Sequence, residues 1–212
     1  MAAKPDLLIA TTNPGKIREI VPILEGTSYR LRTLADVGRP IAEPEETGQS
    51  FAENARLKAA YYATETGWLT VAEDSGLAID ALGGRPGIHS ARYPGATYPD
   101  KFANLYRELA SHARPWTARY VCALALVAPI APLPHCLIAP LPHCPIAPLF
   151  ECEGVVEGEI WPEPRGTQGF GYDPIFYCPE YAATFGEADD AQKMKVAHRG
   201  RAFRQLRGFL TV

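Results

Sequence analysis

"DLLIATTNPGKIREIVPILEG" occupies residues 6–26, and its two halves follow different periods. Residues 6–12 form a short apolar run that ends in small polar residues, the pattern of a buried strand. The "NPGK" that follows turns the chain. Ile17, Ile20, Val21 and Leu24 then recur at helical spacing, with Gly26 as the stop. Pro22 lies inside that helix and should kink or loosen it, because it offers no N–H to Arg18. Strand, glycine turn and helix start in this order point to a protein built on a sheet.

Working outward, "SFAENARLKAAYYATETG" (50–67) reads as the clearest helix, with Ser50 and Glu53 as a capping box and Gly67 closing the end. Asn54 and Lys58, four apart, share one face of it. "LTVAEDSGLAID" (69–80) reads as strand, polar break, strand, and "GGRPG" (83–87) as a turn. Residues 99–113 are helical, with Phe102, Leu105, Tyr106 and Leu109 on one stripe. Residues 117–128 and 149–161 look like two strands of a long hairpin, and 196–210 closes the chain as a helix. This mixture predicts an α/β (mixed α+β) fold. The whole chain, 1–212, is expected to be one domain.

Between the hairpin strands lies a repeat of period eight, "IAPLPHCL" (130–137), "IAPLPHCP" (138–145) and the fragment "IAPLF". Proline at this density forbids a central strand or a helix, so an extended, mobile insertion at about 129–149 is expected. His135, Cys136, His143 and Cys144 are metal-ligand types, but they recur because the segment is duplicated, and structural zinc sites favour closer pairs.

A formal net charge of -3 argues against a general nucleic-acid binder. No apolar run reaches membrane-spanning length, and "MAAKPDLLIA" lacks a signal-peptide layout. The cysteines are odd in number and show no CxxC, which predicts reduced thiols in a cytoplasmic protein.

Four stretches carry residues suited to chemistry. "ATTNPGK" (10–16) ends at a helix start, where backbone N–H groups, the helix dipole and Lys16 together suit a phosphate chain. It also suits a plain turn shaped by Asn13 and Gly15. In "AEDSG" (72–76), Glu73 and Asp74 are adjacent on an extended strand and point opposite ways, so only one should face a cleft. A carboxylate beside phosphates needs a cation between them, and Mg²⁺ is the hard ion for that. Glu43, Glu45 and Glu46 precede the capped helix and can supply a second carboxylate or merely a solvated loop. Lys193, His198 and Arg199 cluster around a helix start, where Arg offers a planar fork. Phe170-Gly171-Tyr172-Asp173 reads equally as a tight turn or as a loop that holds something flat. Anion loop, acids, aromatic loop and basic helix start together fit a nucleoside triphosphate with Mg²⁺.

Five blocks in order, "TTNPGK" (11–16), "EETGQSFAENARLKA" (45–59), "EDSGLAIDALGGRPGIHSARY" (73–93), "EPRGTQGFGYDPIF" (163–176) and "AHRGRA" (197–202), resemble the inosine/xanthosine triphosphate pyrophosphatase family. The resemblance covers nearly the whole chain except 129–149. It implies an elongated mixed sheet flanked by helices, two lobes with the site in the cleft between them, and a homodimer. The implied reaction is nucleoside triphosphate plus water to monophosphate plus diphosphate, with Mg²⁺, on ITP, dITP and XTP. Carried over by motif, Thr11, Thr12, Asn13, Pro14, Gly15 and Lys16 would hold the phosphates, and Ser75 would touch substrate. Asp74 would be the catalytic acid-base residue and a metal ligand, with Glu45 as the second metal acid and Glu46 as its rival. Phe170, Gly171, Tyr172, Asp173, Lys193, His198 and Arg199 would hold the nucleoside. Glu73 stands where the family has the first of two aspartates.

Overall fold

The computed structural model describes residues 3–129 and 147–211. The repeat, with its four His and Cys residues, lies outside the described residues. Within them one sheet of seven strands runs in the order β2-β1-β3-β4-β5-β6-β7. The strands are β1 (Asp6–Ile9), β2 (Arg30–Thr33), β3 (Leu69–Ile79), β4 (Thr117–Val127), β5 (Phe150–Ile160), β6 (Phe176–Cys178) and β7 (Ala183–Thr184). β1 pairs parallel with β2 and β3, and every later pairing is antiparallel. The sheet is therefore mixed, as expected.

Helices α1 (Pro14–Leu24) and α5 (His198–Leu210) cover one face and α2 (Phe51–Thr66) the other. The alternation of β1 shows why. Leu7 and Ile9 pack with Ile20, Leu24, Phe203 and Leu206, whereas Leu8 and Ala10 pack with Ala55, Ala59 and Ala63. A third cluster joins the far ends of β3, β4 and β5 to Phe102, Leu105 and Leu109 of α3 (Tyr98–Leu109). The stripe of α3 thus faces the core as its spacing predicts.

Three local expectations are revised. β3 is a single strand with no break at Glu73-Asp74-Ser75, because β4 pairs it continuously from Thr70↔Val127 to Ile79↔Ala118. Glu73 and Asp74 are buried and Ser75 is half-buried, each with a partner, which the alternation of residue types alone does not reveal. At α2 the Ser50 hydroxyl accepts from the Glu53 N–H, but the Glu53 carboxylate accepts from the Gln49 N–H, so the capping box is only half formed. A short helix α4 (Asp190–Val196) precedes α5, which starts at His198. Helix α1 continues past Pro22 to Leu24.

Candidate active site

β1, β3 and the start of α5 converge on a cavity of about 750 Å³. Of the residues expected to form a site, all line it except Pro14, Gly15 and Asp74. The 11–16 loop shapes one end. Asn13 caps α1 with its side-chain oxygen, which accepts from the N–H groups of Gly15 (2.9 Å) and Lys16 (3.2 Å). Thr11 Oγ1 accepts from the Asn13 N–H. Three of the loop's N–H groups are therefore bonded within it, and its strongest remaining attraction for an anion is Lys16. Gly15 lies under the Phe170 ring: a Cβ there would sit 2.7 Å from Phe170 Cδ1. Glycine is thus needed where the two loops touch.

The adjacent acids of β3 do point to opposite layers. Glu73 turns toward α1 and α5, where its Oε1 accepts from Lys16 Nζ at 2.8 Å and its carboxylate also meets Arg199. Burial would raise its pKa, but the Lys16 and Arg199 charges win and hold it well below the usual carboxylate range. Asp74 turns toward α2. Its Oδ1 accepts from Lys58 Nζ at 2.9 Å and its Oδ2 from Asn54 Nδ2 at 3.2 Å. Burial pushes the Asp74 carboxyl up, with Lys58 opposing. The shared face of Asn54 and Lys58 thus has its partner. It is Glu73, not Asp74, that lines the cavity, while Asp74 lies behind Lys58.

Lys58 joins the strand acid to the acidic loop. Its ammonium also reaches Glu46 Oε1 at 2.7 Å, and Glu46 in turn pairs with Arg92. Two carboxylates therefore converge on one cation. Glu45 lines the cavity, is exposed, and has no ion-pair partner among the described residues.

The other end is buried and charge-matched. Lys193, His198, Arg199 and Asp173 are each at most 3 % exposed, so any unpaired charge there would be costly. Asp173 Oδ2 accepts from Lys193 Nζ at 2.6 Å and from the Phe170 N–H at 2.7 Å. The four-residue loop is thus both a turn and a wall. Asp173 and the left-handed Gly169 and Gly171 form the turn. Phe170 lines the cavity, with Lys193 Nζ 4.9 Å from its ring centre. Tyr172 also borders the cavity, but it packs among Tyr98 and Phe102 and donates to the Ser90 carbonyl at 2.8 Å. His198 stacks on Tyr120 at 4.6 Å, and burial together with the Arg199 and Lys193 charges holds its imidazole neutral, well below the ordinary histidine pKa. Its Nδ1 is buried without a partner among the described residues.

Sequence reasoning missed Lys58 and Tyr98, which line the cavity, and Glu19, which does not line it but pairs with Lys193 and Arg199, which do. Lys58 was recognisable as Asn54's neighbour on one helix face. Glu19 stands three residues after Lys16, but nothing in that spacing says that it faces inward.

With this geometry in place, the relatives are informative. The model of the Ham1 family matches residues 7–209. A dITP/XTP pyrophosphatase of Bacillus licheniformis is 40% identical over 208 residues, 97% of either chain. A dITP/XTP pyrophosphatase of Gloeobacter violaceus is 44% identical over 200 residues, 94% of this chain and 91% of its own. A HAM1 protein from Coxiella burnetii, of solved structure, superposes with a TM-score of 0.83 at 36% identity, covering 98% of both chains.

Proposed function

We propose, because this chain belongs to the Ham1 family, that it hydrolyses non-standard purine nucleoside triphosphates such as ITP, dITP and XTP to the monophosphate and diphosphate. The observation that carries the reading is a single cavity with two chemically distinct ends. Lys16, Lys58 and the acidic loop at one end suit a polyphosphate and its counter-ion. Phe170, His198 and Arg199 at the other suit a planar base.

Mg²⁺ fits the first end. Its donors are carboxylate oxygens, and two of them, on Asp74 and Glu46, already share the Lys58 ammonium. No three His, Cys, Asp or Glu side chains form a ready cage among the described residues. Mg²⁺ is usually held by one or two carboxylates plus substrate phosphates. Asp74 with Glu45 would hold it, and Glu46 is the alternative to Glu45. When bound, the ion neutralises phosphate charge and makes water more acidic. Asp74 is the group that takes the proton from the attacking water, and a carboxyl raised by burial is a better base than an exposed one. Lys16 offsets the charge that grows on the leaving diphosphate.

Selectivity rests on donors. Hypoxanthine and xanthine present a 6-oxo acceptor where adenine presents an amino donor. Arg199 carries only donors, so an amino group there leaves buried N–H groups unpaired, at about 1–3 kcal/mol each. In the cell this activity would cleanse the nucleotide pool. We place it in the cytoplasm, as a single-domain homodimer with no nucleic acid or membrane partner. Diphosphate release across ITP, XTP, dGTP, ATP and dUTP with Mg²⁺ tests the reading. The kcat/KM for ITP and XTP should exceed that for ATP at least tenfold, about 1.4 kcal/mol. Equal turnover of ATP would sink the donor argument. A preference for dUTP would point to a pyrimidine enzyme, and binding without turnover to a regulatory module.

A further inference from the structure

Glu19 sits on the buried face of α1, with no exposed side-chain surface. A lone carboxylate in that layer would be costly, and each of its oxygens is matched to a cation. Oε1 accepts from Lys193 Nζ at 2.7 Å, and Oε2 from Arg199 Nη1. Glu19 does not line the cavity, but both of its partners do.

Counting donors shows what this does. An arginine has five N–H groups. Arg199 Nε faces Glu73 Oε1 at 3.4 Å, Nη2 gives one N–H to Ser75 Oγ at 2.9 Å, and Nη1 gives one to Glu19. One N–H is left on each terminal nitrogen. Lys193 has three N–H groups. Two go to Glu19 and Asp173, and the ammonium lies over the Phe170 ring. Lys193 is therefore more a brace for Phe170 than a free ligand group. Glu73 and Ser75 both belong to β3, so they hold the guanidinium from one side only. Glu19 holds it from α1.

We infer that Glu19 is a positioning residue for base selectivity: by fixing Arg199 from the helix side, it aims the two remaining N–H groups at the base. This rests on the function proposed above. It acts through the orientation of Arg199 and does not itself line the cavity, so it should govern KM and base preference more than the hydrolytic step.

Glu19→Gln keeps the shape and removes the charge. KM for ITP should rise roughly tenfold with kcat within about threefold, and the ITP-to-ATP ratio of kcat/KM should fall roughly tenfold. A purely structural glutamate would lower the melting temperature of the variant and leave that ratio as in the wild type, and this result would overturn the inference. Should Glu19→Gln fail to fold, Glu19→Asp keeps the buried charge and shortens the arm by one methylene. It should lower the ratio by a smaller factor, and an unchanged ratio in folded Glu19→Asp overturns the inference equally. A wild-type enzyme without base preference would instead break the functional reading itself.

Discussion

The two ends of the cavity are built to different standards. At the end proposed for the base, Glu19, Asp173, Lys193 and Arg199 neutralise one another in the buried interior through contacts made among themselves. At the phosphate end Lys58 and Arg92 share Glu46, Glu45 is exposed, and three loop N–H groups are turned inward. On the proposed function, recognition of a base would depend on this arrangement, in which misplacing a buried charge is costly. The pairs at the other end are more exposed, and on the same reading they would exchange partners when polyphosphate and cation enter. Selectivity would then be preorganised, and the chemical end completed by its ligands.

The adjacent acids of β3 give the sharpest way to break this contrast, since one serves each layer. Asp74→Asn keeps the shape and removes the base, so kcat should fall by roughly 10² or more while the fold survives. Glu73→Gln removes the carboxylate that ties Lys16 to Arg199. Here KM for the triphosphate should rise roughly tenfold with kcat nearly kept, because binding and not proton transfer is lost. Steady-state kinetics on ITP with a melting curve for each variant decides the matter. A larger fall in kcat for Glu73→Gln would reverse the roles of the two acids.

A smaller effect separates the ends by pH. His198 is neutral and buried at the base end, with its pKa held below the ordinary 6.5 by burial and by neighbouring cations. The unfolded chain takes up a proton near pH 6.5 that the folded chain refuses. Stability from this group is thus full above pH 6.5 and is lost as pH falls below it. Between pH 7 and pH 5.5 the loss is about 1 kcal/mol for one such proton. Asp74 and Asp173 have raised pKa values and act with the opposite sign as carboxylates, from 3.8 upward. Urea unfolding at the two pH values should show the loss in wild type and a shallower one in His198→Asn. Equal slopes would mean that the imidazole is protonated in the folded state.

Much of this was legible in the sequence, and the failures share a cause. Ser50, Gly67 and the hairpin strands announce themselves by local rules, and five motifs announce the family. The sequence also shows that Glu73 and Asp74 diverge. What it withholds is which helix lies on each side of β3, hence which acid meets Lys58 and which meets Lys16. The same gap hides Glu19, since an acid on a helix reads as solvent-facing until the helix is packed. It also explains the misread break in β3: Glu73, Asp74 and Ser75 are polar enough for a turn, but their partners come from α1, α2 and α5. Tertiary pairing, invisible in local pattern, decides each case.

The smallest effect is expected where neither end is touched. Deleting 130–145 removes the repeat, and among the described residues none between Val127 and Ile160 lines the cavity. The hairpin is paired to its last rung at Leu126↔Phe150, and the Leu149 N–H still donates to the Leu126 carbonyl at 2.8 Å. The deletion shortens the connection between those rungs about threefold, worth about 1 kcal/mol of closure entropy in favour of folding. For a chain of this size that shifts the melting temperature by about 2–4 °C, upward. ITP hydrolysis, base preference and subunit association should all match the wild type. The deletion is thus a control for the contrast between the ends, and it can also break it. Lost activity, or a dimer turned monomer, would show that the repeat supports the folded body, and the cavity could no longer be read from its own residues alone. A zinc-dependent melting shift in the intact chain, absent from the deletion, would assign His135, Cys136, His143 and Cys144 the metal clamp that their spacing argues against.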